Sequence, residues 1–291
     1  MSDTAVGFIG LGNMGAPMAK RLLDWPGGLV VCDMRADALT PFTDGGATAA
    51  ATAAEVAETC AVISVVVLDD AQVRSVVTGD AGILRTAEPG TVIAVHSTIS
   101  DKTAVELAAE CAEHGVEFVD APISGGAPAA QKGGLAIMVG GSETAFKTVR
   151  APFASFASLI VHAGEVGAGT RMKLARNLLH FIAFTAAAES QRLAEAAGLD
   201  ITELGKVVRH SDSHTGGPGA IMLRNTTAPV AADDFWFPIL THVRDLGEKD
   251  LALALDLGRR LGVDLPLADQ ALGGLGDGLG VGRGAIAKEQ W

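Results

Sequence analysis

The sequence is poor in cysteine, in runs of one charge and in long apolar stretches. Its three cysteines, Cys32, Cys60 and Cys111, are odd in number and far apart, which excludes a disulfide framework and a Cys-x-x-Cys metal knuckle. They read as small buried hydrophobes in a reducing compartment. Lysine and arginine total 22 against 34 acidic residues, a formal charge of -12, and no cationic run is present. A surface that neutralises nucleic-acid phosphates is therefore not expected. No apolar stretch reaches the roughly 18 residues a membrane span needs. The nearest, 178–188, is interrupted by His180 and bounded by Arg176 and Glu189. The start, MSDTAV, has neither the basic residues nor the apolar run of a secretory signal, so a cytoplasmic location is expected. His210 and His214 lie four apart but have no third ligand at a recognisable interval, and no metal site is expected.

What the chain does have is length, apolar content and glycine. Its 291 residues suit two domains, and 48% hydrophobic residues with 36 glycines describe a globular protein with many tight backbone passages. The first 165 residues repeat one theme: a short apolar run, a turn, then an alanine-rich helical stretch. The runs fall at 5–10, 29–33, 61–67, 91–95, 116–120, 135–140 and 159–164. Strands apolar throughout and separated by helices belong to a parallel sheet covered on both faces. The expected fold is α/β: a Rossmann-type, doubly wound parallel sheet over 1–164, followed by an all-α domain over 165–291, joined by a long helix.

Gly10, Gly12 and Gly15 form G-x-G-x-x-G directly after the first strand and at the start of a helix, the context this motif requires. The first glycine permits the tight turn, the second lets a pyrophosphate approach the backbone, and the third lets helix and strand pack closely. Asp33 closes the second strand, 18 residues beyond Gly15, where a carboxylate can accept hydrogen bonds from ribose hydroxyls. It would repel a 2′-phosphate, which favours NAD over NADP. Arg35, two residues on, is either an exposed side chain at a strand end or a receiver for that phosphate.

A second glycine-rich stretch, DAPISGGAPAAQKGG from Asp120, follows the fifth strand. Pro122, Gly125, Gly126, Gly133 and Gly134 predict a loop here and no regular helix. Ser124 with the N–H groups of Gly125 and Gly126 could cradle a carboxylate, or the segment could simply connect two strands. The stretch 164–199 then reads as one long helix after its opening glycines, with Lys173 and Asn177 four apart on one face. A lysine near a helix start is usually solvated; beside Asn177 and a glycine-rich bend it could instead be a desolvated amine with a lowered pKa.

In these motifs the chain resembles the β-hydroxyacid dehydrogenase family, the group that includes 3-hydroxyisobutyrate dehydrogenase and tartronate semialdehyde reductase. The matches are GFIGLGNMGAPMAKRL at 7–22, DAPISGG at 120–126, Gly167, Gly169, Lys173 and Asn177 in G-x-G-x-x-x-K-x-x-x-N, and KDLALAL at 249–255. They lie in order and span most of the chain. The resemblance implies hydride transfer between a nicotinamide and a short β-hydroxy acid or its semialdehyde, with Lys173 as acid/base, Asn177 positioning the substrate, and Ser124, Gly125 and Gly126 holding its carboxylate. It implies cofactor contacts from Leu11, Asn13 and Met14, from Leu68 and Thr98 after the third and fourth strands, and from Lys249. It further implies a helical second domain that completes the pocket and supports a homodimer or homotetramer. The chain departs from the family pattern at Arg176, where a second asparagine is common, and at Val95, where an aspartate is; Arg176 is given no role.

From the long helix onward the pattern is helical, with stops at Gly198, Pro229 and Pro266. The helix carrying Lys249 is expected to turn its leucines inward. Phe235, Trp236 and Phe237 suit core or interface anchors. His96 and His162 are rival general bases outside the matched motifs. Two other function classes compete: an imine reductase, against which Lys173 argues, and a non-catalytic dinucleotide-binding scaffold, against which the joint presence of Lys173, Asn177, Ser124 and Lys249 argues.

Overall fold

A computed structural model describes residues 4–290. Among the described residues nine strands form one sheet: β1 (Ala5–Ile9), β2 (Leu29–Cys32), β3 (Thr48–Ala49), β4 (Cys60–Val65), β5 (Val92–Val95), β6 (Glu117–Asp120), β7 (Ile123–Ser124), β8 (Leu135–Gly140) and β9 (Ala157–Gly164). Their order is β3-β2-β1-β4-β5-β6-β8-β7, with β9 also paired to β8. All seven apolar runs are strands. The helices between them are α1 (Gly15–Lys20), α2 (Ala36–Thr43), α3 (Ala53–Ala57), α4 (Asp70–Thr78), α5 (Asp101–Glu113), α6 (Gly126–Lys132) and α7 (Glu143–Phe153).

The continuous apolar character of the strands has a visible cause. Phe8, Val31, Val62, Ala94 and Val119 pack into a core on one face of the sheet. Ile9, Cys32, Ile63, Ile93 and Phe118 pack into a second core on the other. Both faces are covered, so neither needs polar residues. Cys32, Cys60 and Cys111 are all buried free thiols within the second core. Burial pushes the thiols of Cys60 and Cys111 up to about 11 and about 12, so they behave as hydrophobes.

Two expectations need correction. The sheet is parallel from β3 through β6, but β8 runs antiparallel to β6 and β7. A run buried on both faces reads alike in either direction, so its letters cannot report the reversal. The segment after Ser124 is not a plain loop either, since α6 lies within it. Its glycines sit at the ends: Gly125 (φ 131°) precedes the first residue and Gly133 (φ 69°) closes the last turn in the left-handed conformation. Pro128 occupies the first turn, where no intrahelical N–H is lost.

The second half is helical: α8 (Ala168–Ala196), α9 (Ile201–Thr215), α10 (Trp236–Leu261), α11 (Pro266–Gly278) and α12 (Ala285–Gln290). The backbone contacts cluster into one unit ending at Arg176 and another beginning at Asn177, so α8 runs through the boundary. In the second unit Val230, Leu240 and Leu279 form a small core with Trp236, Phe237 and Leu275 against it, while Phe235 is exposed. The leucines of α10 do not all turn inward: Leu246 and Leu253 are exposed. Among the described residues no helix is long and apolar enough to cross a membrane.

Candidate active site

The predicted site residues of the first unit collect at the carboxyl edge of the strands, where open α/β sheets bind ligands. Each glycine of the first turn has a separate task. Gly10 takes φ 94°, and a Cβ there would run into the Val66 carbonyl at the end of β4. A Cβ at Gly15 would run into the Gly10 carbonyl, so close packing of α1 on the turn requires its absence. At Gly12 a Cβ would meet nothing within 4 Å, leaving open space beside the backbone. Leu11 is buried beneath the turn, Asn13 is exposed, and Met14 precedes α1 without a side chain capping its first turn.

Asp33 is tied to this turn. Its Oδ2 accepts the Leu11 N–H at 2.6 Å and its Oδ1 accepts the Arg35 N–H at 2.9 Å. Burial works to raise its pKa, but those two hydrogen bonds and the Arg35 guanidinium outweigh it and hold the carboxyl below its ordinary value. Arg35 lies against Asp33, Nε to Oδ1 at 3.4 Å, and donates from Nη2 to the Leu11 carbonyl at 3.4 Å. A turn open at Gly12, a helix start behind it and a fixed anionic carboxylate at the second strand fit a dinucleotide.

Leu68 and Thr98 lie beyond β4 and β5 at the same edge, both exposed. Ser97, which sequence reasoning missed, laces the two loops: its Oγ accepts the Val67 N–H at 3.0 Å and donates to the Val67 carbonyl at 2.7 Å. His96 is not a free base. It is buried between strands, with Nδ1 2.8 Å from the Ala121 carbonyl and Nε2 3.1 Å from Ser64 Oγ, and burial pulls its pKa down to about 4. His162 stacks on Phe146 and reaches the Gly141 carbonyl through Nε2 at 2.8 Å.

Lys173, in the second turn of α8, points its Nζ at the Ile123 carbonyl, 2.6 Å away and one residue before Ser124. The amine is half-buried, and burial, with the Arg176 cation as a lesser cause, lowers its pKa. Asn177 follows one turn later on the same helix and is also half-buried, as is His180 beyond it, whereas the residues between are exposed. Ser124, Gly125 and Gly126 lead from β7 into α6, both glycines at positive φ. Lys249 lies on α10, its Nζ 3.1 Å from Asp250 Oδ1. Asp120, at the end of β6, was also missed as a site residue. Its fully buried carboxylate accepts the Gly167 N–H at 2.7 Å and the Thr170 N–H at 2.6 Å, where α8 begins.

Residues 5–164 match a family model described as the NAD binding domain of 6-phosphogluconate dehydrogenase, and residues 167–275 match one described as the NAD-binding of NADP-dependent 3-hydroxyisobutyrate dehydrogenase. The chain belongs to the β-hydroxyacid dehydrogenase family. An uncharacterized oxidoreductase of Mycobacterium tuberculosis is 62% identical to this family member over 276 residues, 95% of this chain and 93% of the relative. A protein described as a probable mitochondrial 3-hydroxyisobutyrate dehydrogenase of Dictyostelium discoideum is 34% identical over 280 residues, 93% of this chain and 84% of the relative. The crystal structure of 3-hydroxyisobutyrate dehydrogenase from Salmonella typhimurium superimposes with a TM-score of 0.66 at 30% identity, covering 99% of this chain and all of that one. Like other β-hydroxyacid dehydrogenases, the protein is an oxidoreductase that acts on a CH–OH group with a nicotinamide dinucleotide.

Proposed function

We propose that the protein is a 3-hydroxyisobutyrate dehydrogenase-like enzyme that interconverts a short β-hydroxy acid and its semialdehyde, with Lys173 as general acid/base and NAD as the preferred dinucleotide. The observation that carries this reading is the Lys173 amine: half-buried, lowered in pKa, and held 2.6 Å from the carbonyl that precedes Ser124. A neutral amine there would take the hydroxyl proton of the acid while the hydrogen on the same carbon leaves with the C–H bond pair as hydride and C=O forms; in the reverse direction the ammonium would return the proton. Bound nicotinamide supplies the hydride acceptor or donor. Ser124 with the N–H groups of Gly125 and Gly126 holds the substrate carboxylate, and Asn177, one turn from Lys173, orients the reacting oxygen.

The turn from Gly10 to Gly15, with Leu11, Asn13 and Met14, holds the pyrophosphate. Asp33 receives the ribose hydroxyls, and Arg35, drawn against Asp33, stands beside it as a further dinucleotide contact. Leu68, Thr98 and Lys249 complete the dinucleotide contacts. NAD is favoured because a 2′-phosphate would face the Asp33 carboxylate, whose charge the neighbouring N–H groups keep in place. The enzyme works as a homodimer or homotetramer, a reading supported by the apolar side chains that the helices of the second unit leave exposed, Phe181, Phe184 and Leu253 among them.

The test follows reduced-nicotinamide absorbance with 3-hydroxyisobutyrate, 3-hydroxypropionate, glycerate and 4-hydroxybutyrate, each with NAD and NADP, for wild type and Lys173→Ala. One acid should turn over faster with NAD, and the variant should lose at least about 100-fold in kcat, the usual worth of a general base, while binding the dinucleotide normally. For oxidation the amine must be neutral, so kcat/KM should rise with pH along a limb lying below the ordinary lysine value of about 10.4. For reduction the ammonium is needed, so the rate should fall with rising pH along the same limb. Activity of Lys173→Ala within tenfold of wild type sinks the assignment.

A further inference from the structure

We propose that Asp120 is the positioning residue for Lys173: it fastens the first turn of α8 to the loop that carries the lysine's acceptor, and so sets where the amine stands. The inference rests on the reading of Lys173 as acid/base. Asp120, which ends β6, and Ile123, which begins β7, lie three residues apart, and their partners Thr170 and Lys173 lie three residues apart on one helix. Residues three apart share a helix face. The carboxylate holds backbone N–H groups of the first turn of α8, and the Ile123 carbonyl meets the side chain that leaves the turn after it.

Both sides of this grip are themselves held. The Ala121 carbonyl meets His96 Nδ1 at 2.8 Å, the Pro122 carbonyl accepts the Met138 N–H at 3.1 Å, and Ile123 and Ser124 are in register with Ile137 and Ala136 of β8. On the helix side, a Cβ at Gly169 would strike the backbone carbonyls of Met138 and Asp120, and one at Gly140 would strike the Asp120 carboxylate. The turn can approach this closely only because glycines stand at both contacts. A buried carboxylate with two N–H donors to satisfy then leaves the start of α8 one position. Lys173 sits one turn on, with the Arg176 cation further along α8, and inherits that position.

Asp120→Asn tests the assignment. The two N–H groups are held by different carboxylate oxygens, so the amide keeps one of these bonds and sets its nitrogen against the other N–H, and the turn loosens without loss of volume. A displacement of about 1 Å at a reacting group costs on the order of 100-fold. The expected result is a fall in kcat of about 10- to 100-fold with little change in KM for the acid or in dinucleotide affinity, together with a kcat/KM limb moved up toward the ordinary lysine value as the amine becomes more solvated. A second readout needs no substrate: NMR titration of reductively 13C-methylated protein, with the Lys173 signal assigned by its loss in Lys173→Arg, should show the same rise. If Asp120→Asn does not fold by far-ultraviolet circular dichroism, Asp120→Glu, which keeps the charge and pushes the turn outward, is read in the same way.

A folded variant with unchanged kcat and unchanged Lys173 titration overturns the proposal and leaves Asp120 a helix cap. Lys173→Ala, run alongside, separates the two claims. If it retains activity, the acid/base reading has failed; if it is inactive while Asp120→Asn is normal, only the positioning role has.

Discussion

At the residue scale, three glycines at most five positions apart do three different jobs, and only two of them concern stability. Gly10 combines φ 94° with a neighbouring carbonyl in the path of any Cβ, so Gly10→Ala should cost several kcal/mol through strain and displacement together. Gly12 has open space and no positive φ. Gly12→Ala should therefore leave thermal stability within about 0.5 kcal/mol of wild type, or raise it slightly by stiffening the unfolded chain, yet weaken dinucleotide binding. Denaturant unfolding with a fluorescence titration of the reduced dinucleotide checks both. A Gly12→Ala protein that binds as tightly as wild type would show that no phosphate approaches this backbone. The motif was legible because all its parts are local. Asp120 was not, because its partners are 47 and 50 residues away in the chain, and an aspartate before an alanine and a proline carries no mark of that bond.

At the element scale, buried carboxylates recur as anchors of helix starts. Asp120 holds the beginning of α8; Glu189, on α8, accepts the N–H groups of Leu267 and Ala268 at 2.9 and 3.1 Å as α11 begins. Glu248, on α10, accepts those of Gly284 and Ala287 at 2.8 and 3.3 Å around the start of α12. Each offers a negative charge to N–H groups that have no intrahelical acceptor. Glu248 is almost wholly buried while the next residue, Lys249, is exposed, so the anchor also sets which way α10 turns its lysine. Glu248→Gln should cost about 1–3 kcal/mol, the usual penalty for a buried donor left short of an acceptor. Urea unfolding measures it, and a loss under about 0.5 kcal/mol would mean that the N–H groups find other partners. Elements were read well where an apolar run is long enough to show its character, as in all the longer strands and in α8. They were misread where glycine marks a boundary that looks like an interruption, as around α6, and missed where a strand is two residues long, as in β3 and β7.

At the scale of the whole molecule, the apolar pattern was read correctly, but what it packs against was not. The leucines of α10 have the spacing of a core-facing helix, yet Leu246 and Leu253 lie in solvent, as do Leu178, Phe181, Ile182 and Phe184 along α8 and Val207 and Val208 on α9. Periodicity reports that a face will be covered and is silent on whether the cover comes from the same chain. Scattered exposed leucines are ordinary, but large apolar side chains stand exposed on three successive helices of one unit, where they are available to an association surface. Light scattering coupled to gel filtration should give a mass that is a multiple of the 29.6 kDa chain. Leu253→Asp with Phe181→Asp should lower that mass at micromolar concentration, because each places a charge where apolar contact would form, while costing an isolated chain little, since both positions are already in water. The two outcomes separate cleanly. A wild-type monomer with the same thermal stability as the double variant would show that these side chains are merely exposed, and an oligomer that survives both substitutions would place the association surface elsewhere on the molecule.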